Sequence, residues 1–222
     1  VKRLAVFDLD HTLLSADSDQ LWCDFLIDEG LLEPVHFGTR NAELERGYRD
    51  GSVSVQAFCD FYVGTLAGRT PAQWQPLRER FLHERVLPCV CPGTPALLQR
   101  HRDAGDLLLM STATNHFITE LTAQALGFAH LLATDCEIDA QGRFSGRTQG
   151  VLNMRQGKVA RLQAWLAERG RALADVDSWF YSDSKNDLPL LQAVQHPVVV
   201  DGDEVLRAHA AQQGWPCISL RG

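Results

Sequence analysis

The hydrophobic pattern changes character along the chain. Arg3 to Asp8, reading RLAVFD, is a nearly continuous apolar run that ends in an acid. Such a run fits a strand covered on both faces, as in a parallel sheet. From residue 15 to about 88, apolar positions recur at helical spacing instead. SDQLWCDFLIDEGLL places Leu21, Trp22, Phe25 and Leu26 together, with Ser18 as N-cap and Gly30 as stop. VSVQAFCDFYVGTLAG repeats the pattern with Phe58, Phe61, Tyr62 and Leu66 on one face.

Beyond residue 89, helices and strands alternate. TPALLQRHRDAG (helix) leads into DLLLMST (strand), NHFITELTAQALG (helix) and HLLATD (strand). GKVARLQAWLAERG, LPLLQAV and DEVLRAHAAQQG then read as helices between the strands SWFYSD, HPVVVD and WPCISL, and CEIDAQGRFSGRTQG reads as a hairpin-like excursion. This alternation predicts an α/β fold: a doubly wound, Rossmann-like parallel sheet core from residues 1–14 and 89–222. A helical cap, residues 15–88, is inserted after the first strand. In such sheets ligands bind beyond the carboxyl ends of the strands.

Composition narrows the function classes. The chain has 222 residues, 45% hydrophobic and 22% charged, with a formal charge of -7. The acidic balance and the lack of clustered Lys and Arg argue against a nucleic-acid partner. No apolar run approaches the roughly 20 residues that span a bilayer, and the first apolar stretch is broken by acids too early for a signal peptide. A cytoplasmic location with no membrane partner is therefore expected. The six cysteines are scattered, and the close pair Cys89 and Cys91 has neither zinc nor redox spacing, so reduced thiols are expected. The histidines show no metal-binding pairing.

Three predicted strand ends carry chemistry. The first gives Asp8, Asp10 and Thr12; the second gives Ser111, Thr112, Thr114 and Asn115; a later one gives Asp183, Asn186 and Asp187. Residues two apart on an extended chain point the same way, which sets the charges of Asp8 and Asp10 side by side. Like charges that close call for a cation or a shared proton. Four carboxylates suit a hard, oxygen-seeking ion such as Mg²⁺, and hydroxyls at a helix start suit a phosphate. Lys158 opens a predicted helix, where the dipole disfavours a cation unless an anion lies nearby. Asp, Thr and Asn also serve as ordinary turn and cap residues, so each cluster taken alone has a purely structural reading.

Together these residues resemble the motifs of the haloacid dehalogenase superfamily, in its phosphoserine-phosphatase-like branch. DLDHT matches the first motif, Thr112 in LLLMSTATN the second, Lys158 the third, and Asp183 and Asp187 in DSKND the fourth. They occur in the family's order, and the helical insertion matches the branch's cap. The resemblance implies a phosphomonoester hydrolase with Asp8 as nucleophile and Asp10 as general acid and base. It also implies Mg²⁺ held by Asp8, the Asp10 carbonyl and Asp183, with Asp187 in support, and phosphoryl oxygens held by Thr112 and Lys158. Ser111 competes with Thr112 for that place.

Asp17 falls where the branch has an acid that grips the substrate's amine; Asp17 and Asn115 are thus expected among the substrate contacts. Tyr62 falls where phosphoserine phosphatases have an arginine for the substrate carboxylate, although Arg40, Arg46 or Arg49 could supply a cation. A small phosphorylated metabolite is the expected partner, histidinol phosphate or a phosphoserine-like compound. Phosphotransfer to an alcohol, haloacid dehalogenation and a non-catalytic binding role are the rival readings. Trp22, Phe25, Phe58, Phe61 and Trp165 are expected in the core.

Overall fold

The computed structural model describes residues 2–50 and 52–222. Val1, Gly51 and the side chains of Glu45, Tyr48, Arg49 and Asp50 lie outside the described residues. Strand β1 (Arg3–Phe7) is central to a seven-stranded sheet of order β4-β3-β2-β1-β5-β6-β7, formed with β2 (Leu107–Asn115), β3 (His130–Ile138), β4 (Phe144–Gln149), β5 (Asp177–Ser182), β6 (His196–Val200) and β7 (Cys217–Ile218). Every pairing is parallel except β3 with β4, which form the expected hairpin. Its turn is closed by Asp139 Oδ1, which accepts from the amides of Gln141 and Arg143, and by Gly142 at φ +76°.

The alternation of β1 feeds two cores. Leu4 and Val6 pack with Leu162 and Leu166 of α7 (Gln156–Ala167), Leu190 of α8 (Leu188–Ala193) and Leu206 of α9 (Glu204–Gln213). Ala5 and Phe7 face the other way. They join Trp22 and Phe25 of α1 (Ser18–Asp28), Phe81 of α4 (Pro71–Phe81), Leu98 of α5 (Thr94–Asp103) and Ile118 of α6 (His116–Ala125). Between β1 and β2 the chain inserts α1, α2 (Pro34–Asp50), α3 (Val55–Val63) and α4. This helical insertion is tied to the hairpin: Asp60 Oδ1 on α3 accepts from the amide (2.7 Å) and the hydroxyl (2.8 Å) of Thr148 on β4.

Three local expectations are revised. The N-cap of α1 is Asp17, whose Oδ1 accepts from Gln20 N at 2.9 Å; Ser18 lies inside the helix, one residue later than its role requires. Strand β2 runs on to Asn115, because Asn115 pairs with Thr134 of β3 before its side chain caps α6. Phe58 and Phe61 are half-buried, whereas Trp22, Phe25 and Trp165 are core residues. All six cysteines are free. Among the described residues, no helix is long and apolar enough to cross a membrane.

Candidate active site

The strand order reverses around β1, which sends its chain one way to β2 and the other to β5, so a crevice opens at their carboxyl ends. A cleft of about 180 Å³ lies there. Asp8, Asp10, Asp17, Lys158, Asp183 and Asp187 all line it, from three separate segments of chain.

Asp8 follows β1 directly and is buried. Its Oδ1 accepts from Lys158 Nζ at 2.7 Å, and its Oδ2 lies 3.1 Å from the Thr12 hydroxyl. The chain then turns through His11 at φ +56°, and Asp10 points elsewhere. Asp10 Oδ1 accepts from Ser18 N at 2.7 Å, and its Oδ2 from the Thr114 hydroxyl at 2.8 Å. The two carboxylates are therefore held by separate partners. Side-by-side pairing would require the strand to continue, but it stops at Phe7.

Lys158 is the third residue of α7 and is 2% exposed. Gly157 before it packs against the main chain of Leu152 so tightly that any Cβ would collide, which presses the start of α7 beneath the cleft. Lys158 Nζ reaches Asp187 Oδ2 as well as Asp8, each at 2.7 Å. Asp187 Oδ2 also accepts from Ser182 at 2.7 Å. Burial opposes the lysine's charge, yet Asp187 and Asp8 outweigh it and hold the pKa above the ordinary value.

The other acids are less well compensated. Burial pushes Asp8 up to about 7 against the pull of Lys158, and pushes Asp183 up to about 8, with Asp8 adding repulsion. Asp10 rises to about 6 through burial and the neighbouring Asp17. Thr12 Oγ1 stands between two of these groups, 3.1 Å from Asp8 Oδ2 and 3.0 Å from Asp183 Oδ1. A hydroxyl has one proton, so it can satisfy only one of them at a time. Two buried carboxylates converging on one donor are the chemistry that a small hard cation relieves. Among the described residues no three acidic, histidine or cysteine side chains gather to hold a metal alone. A cation here would rest on Asp8 and Asp183, completed by main-chain oxygen, water and substrate.

On β2, alternate residues face opposite ways. Ser111 turns from the cleft and accepts from Asn153 Nδ2 at 3.1 Å. Thr112 faces the Asp10 side: its buried Oγ1 accepts from Thr114 N at 3.2 Å and lies 3.5 Å from Asp10 Oδ2. Thr114, two residues on, reaches the cleft wall. Asn115 lies outside the cleft in an adjoining side pocket, with its Oδ1 accepting from Ile118 N at 3.1 Å. Tyr62, also at the side pocket, donates to Asn41 Oδ1 at 2.8 Å. Arg40 is exposed and pairs with Glu43, and Arg46 is exposed; neither lines the cleft.

The sequence reading did not single out Asp19, Ser182 or Met154, and it took Ser18 only for a helix cap. Ser18 reaches Thr114, remote in sequence, whereas Ser182 bonds Asp187 only five residues on, in the loop after β5. Asp19 carries a faint signal, as a second acid two residues after Asp17.

Residues 5–192 match the family model of the haloacid dehalogenase-like hydrolases. A histidinol-phosphatase from Neisseria meningitidis serogroup C is 36% identical over 222 residues, covering 100% of both chains. A crystal structure of a protein with unknown function from Bordetella pertussis Tohama I has a TM-score of 0.94 at 41% identity, covering 99% of each chain. A substrate-bound phosphoserine phosphatase shares the fold with a TM-score of 0.66 at 15% identity, covering 98% of this chain and 93% of the other.

Proposed function

The chain belongs to the haloacid dehalogenase-like hydrolase family and is a phosphatase, and we propose that its substrate is histidinol phosphate, hydrolysed by way of a phosphoryl group carried on Asp8. One observation carries the choice of substrate. The cleft is lined by Asp17, Asp19 and Phe58, and among the described residues its only Lys or Arg is Lys158, already held between Asp8 and Asp187. Among the described residues a substrate carboxylate would find two acids there and no free cation, at a cost in desolvation and repulsion. An amine without a carboxylate meets complementary charge. The kinship with the Neisseria histidinol-phosphatase supports the same reading.

In this reading Asp8 attacks phosphorus in line, forming an acyl phosphate as the alcohol leaves. Asp10 is fixed by Ser18 and Thr114, so its carboxyl can give a proton to the leaving oxygen and later take one from water. Lys158 offsets the negative charge of the phosphoryl oxygens while keeping Asp8 oriented. Thr112 and Thr114 bring hydroxyls to the same end of β2. Asp8 and Asp183, with the Asp10 carbonyl, would hold Mg²⁺, which supplies charge neutralisation to the phosphoryl group; Asp187 supports it through Lys158. The helical insertion serves as the cap that excludes water from the cleft, and the location is cytoplasmic.

The test is phosphate release from histidinol phosphate and phosphoserine under identical conditions with Mg²⁺. The expected kcat/KM ratio favours histidinol phosphate by at least about tenfold, the worth of one unmet charged contact. A preference for phosphoserine would overturn the substrate assignment.

Metal binding has its own readout. Saturating Mg²⁺ added to chelator-treated protein is expected to raise Tm by about 5–10 °C, from roughly 2.7 kcal/mol of linkage at 100-fold Kd. Asp183→Asn should erase that rise; an unchanged rise in the variant would remove Asp183 from the metal site.

A further inference from the structure

Beside the cleft lies a narrow side pocket that shares Asp19, Phe58, Ala113 and Met154 with it. Two polar atoms in its lining residues are buried without a hydrogen-bond partner: Asp19 Oδ1 and Asn115 Nδ2. Buried polar atoms are seldom left unpaired, because each forfeits its bonds to water. These two differ in kind. One is an acceptor and the other a donor.

The identity of the amide atom is fixed by its surroundings. Asn115 Oδ1 caps α6 through Ile118 N, so the opposite end of the amide is the NH₂ group; the residue is 2% exposed. Asp19 stands in the first turn of α1, with its Oδ2 3.2 Å from the Thr114 hydroxyl and its Oδ1 unmet. Burial, with Asp17 and Asp10 nearby, holds its carboxyl well above the usual range. Around both atoms the wall is mainly apolar or aromatic, with Phe58, Tyr62 and Val63 from α3.

We propose that Asp19 and Asn115 form the subsite that reads the imidazole ring of the substrate, Asp19 Oδ1 accepting from the ring N–H and Asn115 Nδ2 donating to the bare ring nitrogen. The inference rests on the substrate reading above and sharpens it. A neutral imidazole offers one donor and one acceptor on a flat apolar body. An amine offers only donors and leaves Asn115 unmet; a carboxylate offers only acceptors and faces Asp19. A site whose polar atoms need pairing discriminates strongly against a ligand that cannot pair them. Asp17 lines the cleft but not the side pocket, so the ring contact falls to Asp19.

The test compares kcat/KM for histidinol phosphate and for alaninol phosphate, which keeps the amine and the phosphate but lacks the ring. The ratio should fall at least about tenfold in Asp19→Asn and in Asn115→Ser, mainly through KM; serine retains a capping oxygen for α6. Binding of free histidinol to each variant, followed by calorimetry, should weaken in parallel, and thermal melting checks that the variants fold. If wild-type protein ignores histidinol phosphate, the substrate reading fails. If wild-type protein prefers histidinol phosphate and both variants keep its ratio, or only Asp17→Asn changes it, the subsite assignment fails while the substrate reading stands.

Discussion

Asp8→Asn is expected to abolish phosphate release, by a factor on the order of 10⁴ or more, while the protein stays folded. The amide matches the carboxylate in shape but is a far weaker nucleophile toward phosphorus. The stability side follows from the same geometry. Asp8 is buried, and its carboxyl is pushed up to about 7, chiefly by that burial, so its charge is held at a cost. Removing the charge relieves repulsion from Asp183 and Asp187 and costs the ion pair with Lys158. Lys158 keeps Asp187 as a partner at 2.7 Å. The net change in stability should lie within about 1 kcal/mol. Activity assays and thermal melts on the same preparation check both halves; a variant that loses activity only because it unfolds would leave the nucleophile unidentified.

Lys158→Met is expected to fail in both respects. Methionine matches the length of the lysine stem but leaves Asp8 and Asp187 buried without their cation. Breaking a buried pair in this way costs about 3–5 kcal/mol, which for a chain of this size lowers Tm by about 10 °C. Activity should fall by at least about 10³, since the phosphoryl group loses its countercharge and Asp8 its orientation. The argument makes a second, sharper demand. Adding Asp187→Asn to Lys158→Met removes one of the stranded charges, so the double variant should melt above the single one without recovering turnover. If the two changes were additive in stability, the pair would not be coupled through the lysine.

Much of the fold was legible because strand and helix periods differ and alternate after residue 89. The insertion was legible for the same reason, as a long stretch of helical spacing with no strand. The meeting of Asp8, Lys158 and Asp183 in one cleft could be anticipated because each follows a strand or opens a helix in a recognisable order. Their partners could not. Thr12 meets Asp183 across 171 positions and Ser18 meets Thr114 across 96, and no local pattern encodes such meetings. The cap of α1 shows the limit at short range: Asp17 and Ser18 are both good N-caps, and a shift of one residue decides whether an acid or a hydroxyl is spent on the helix. The turn after Phe7 likewise separates Asp8 from Asp10, a change that strand periodicity cannot express.

The central claim is that the phosphoryl group passes through Asp8 on its way to water. The stereochemical course at phosphorus tests this most directly, using substrate with an isotopically chiral phosphoryl group. Two successive in-line displacements predict net retention of configuration; net inversion would show that water attacks the substrate directly and would contradict the account.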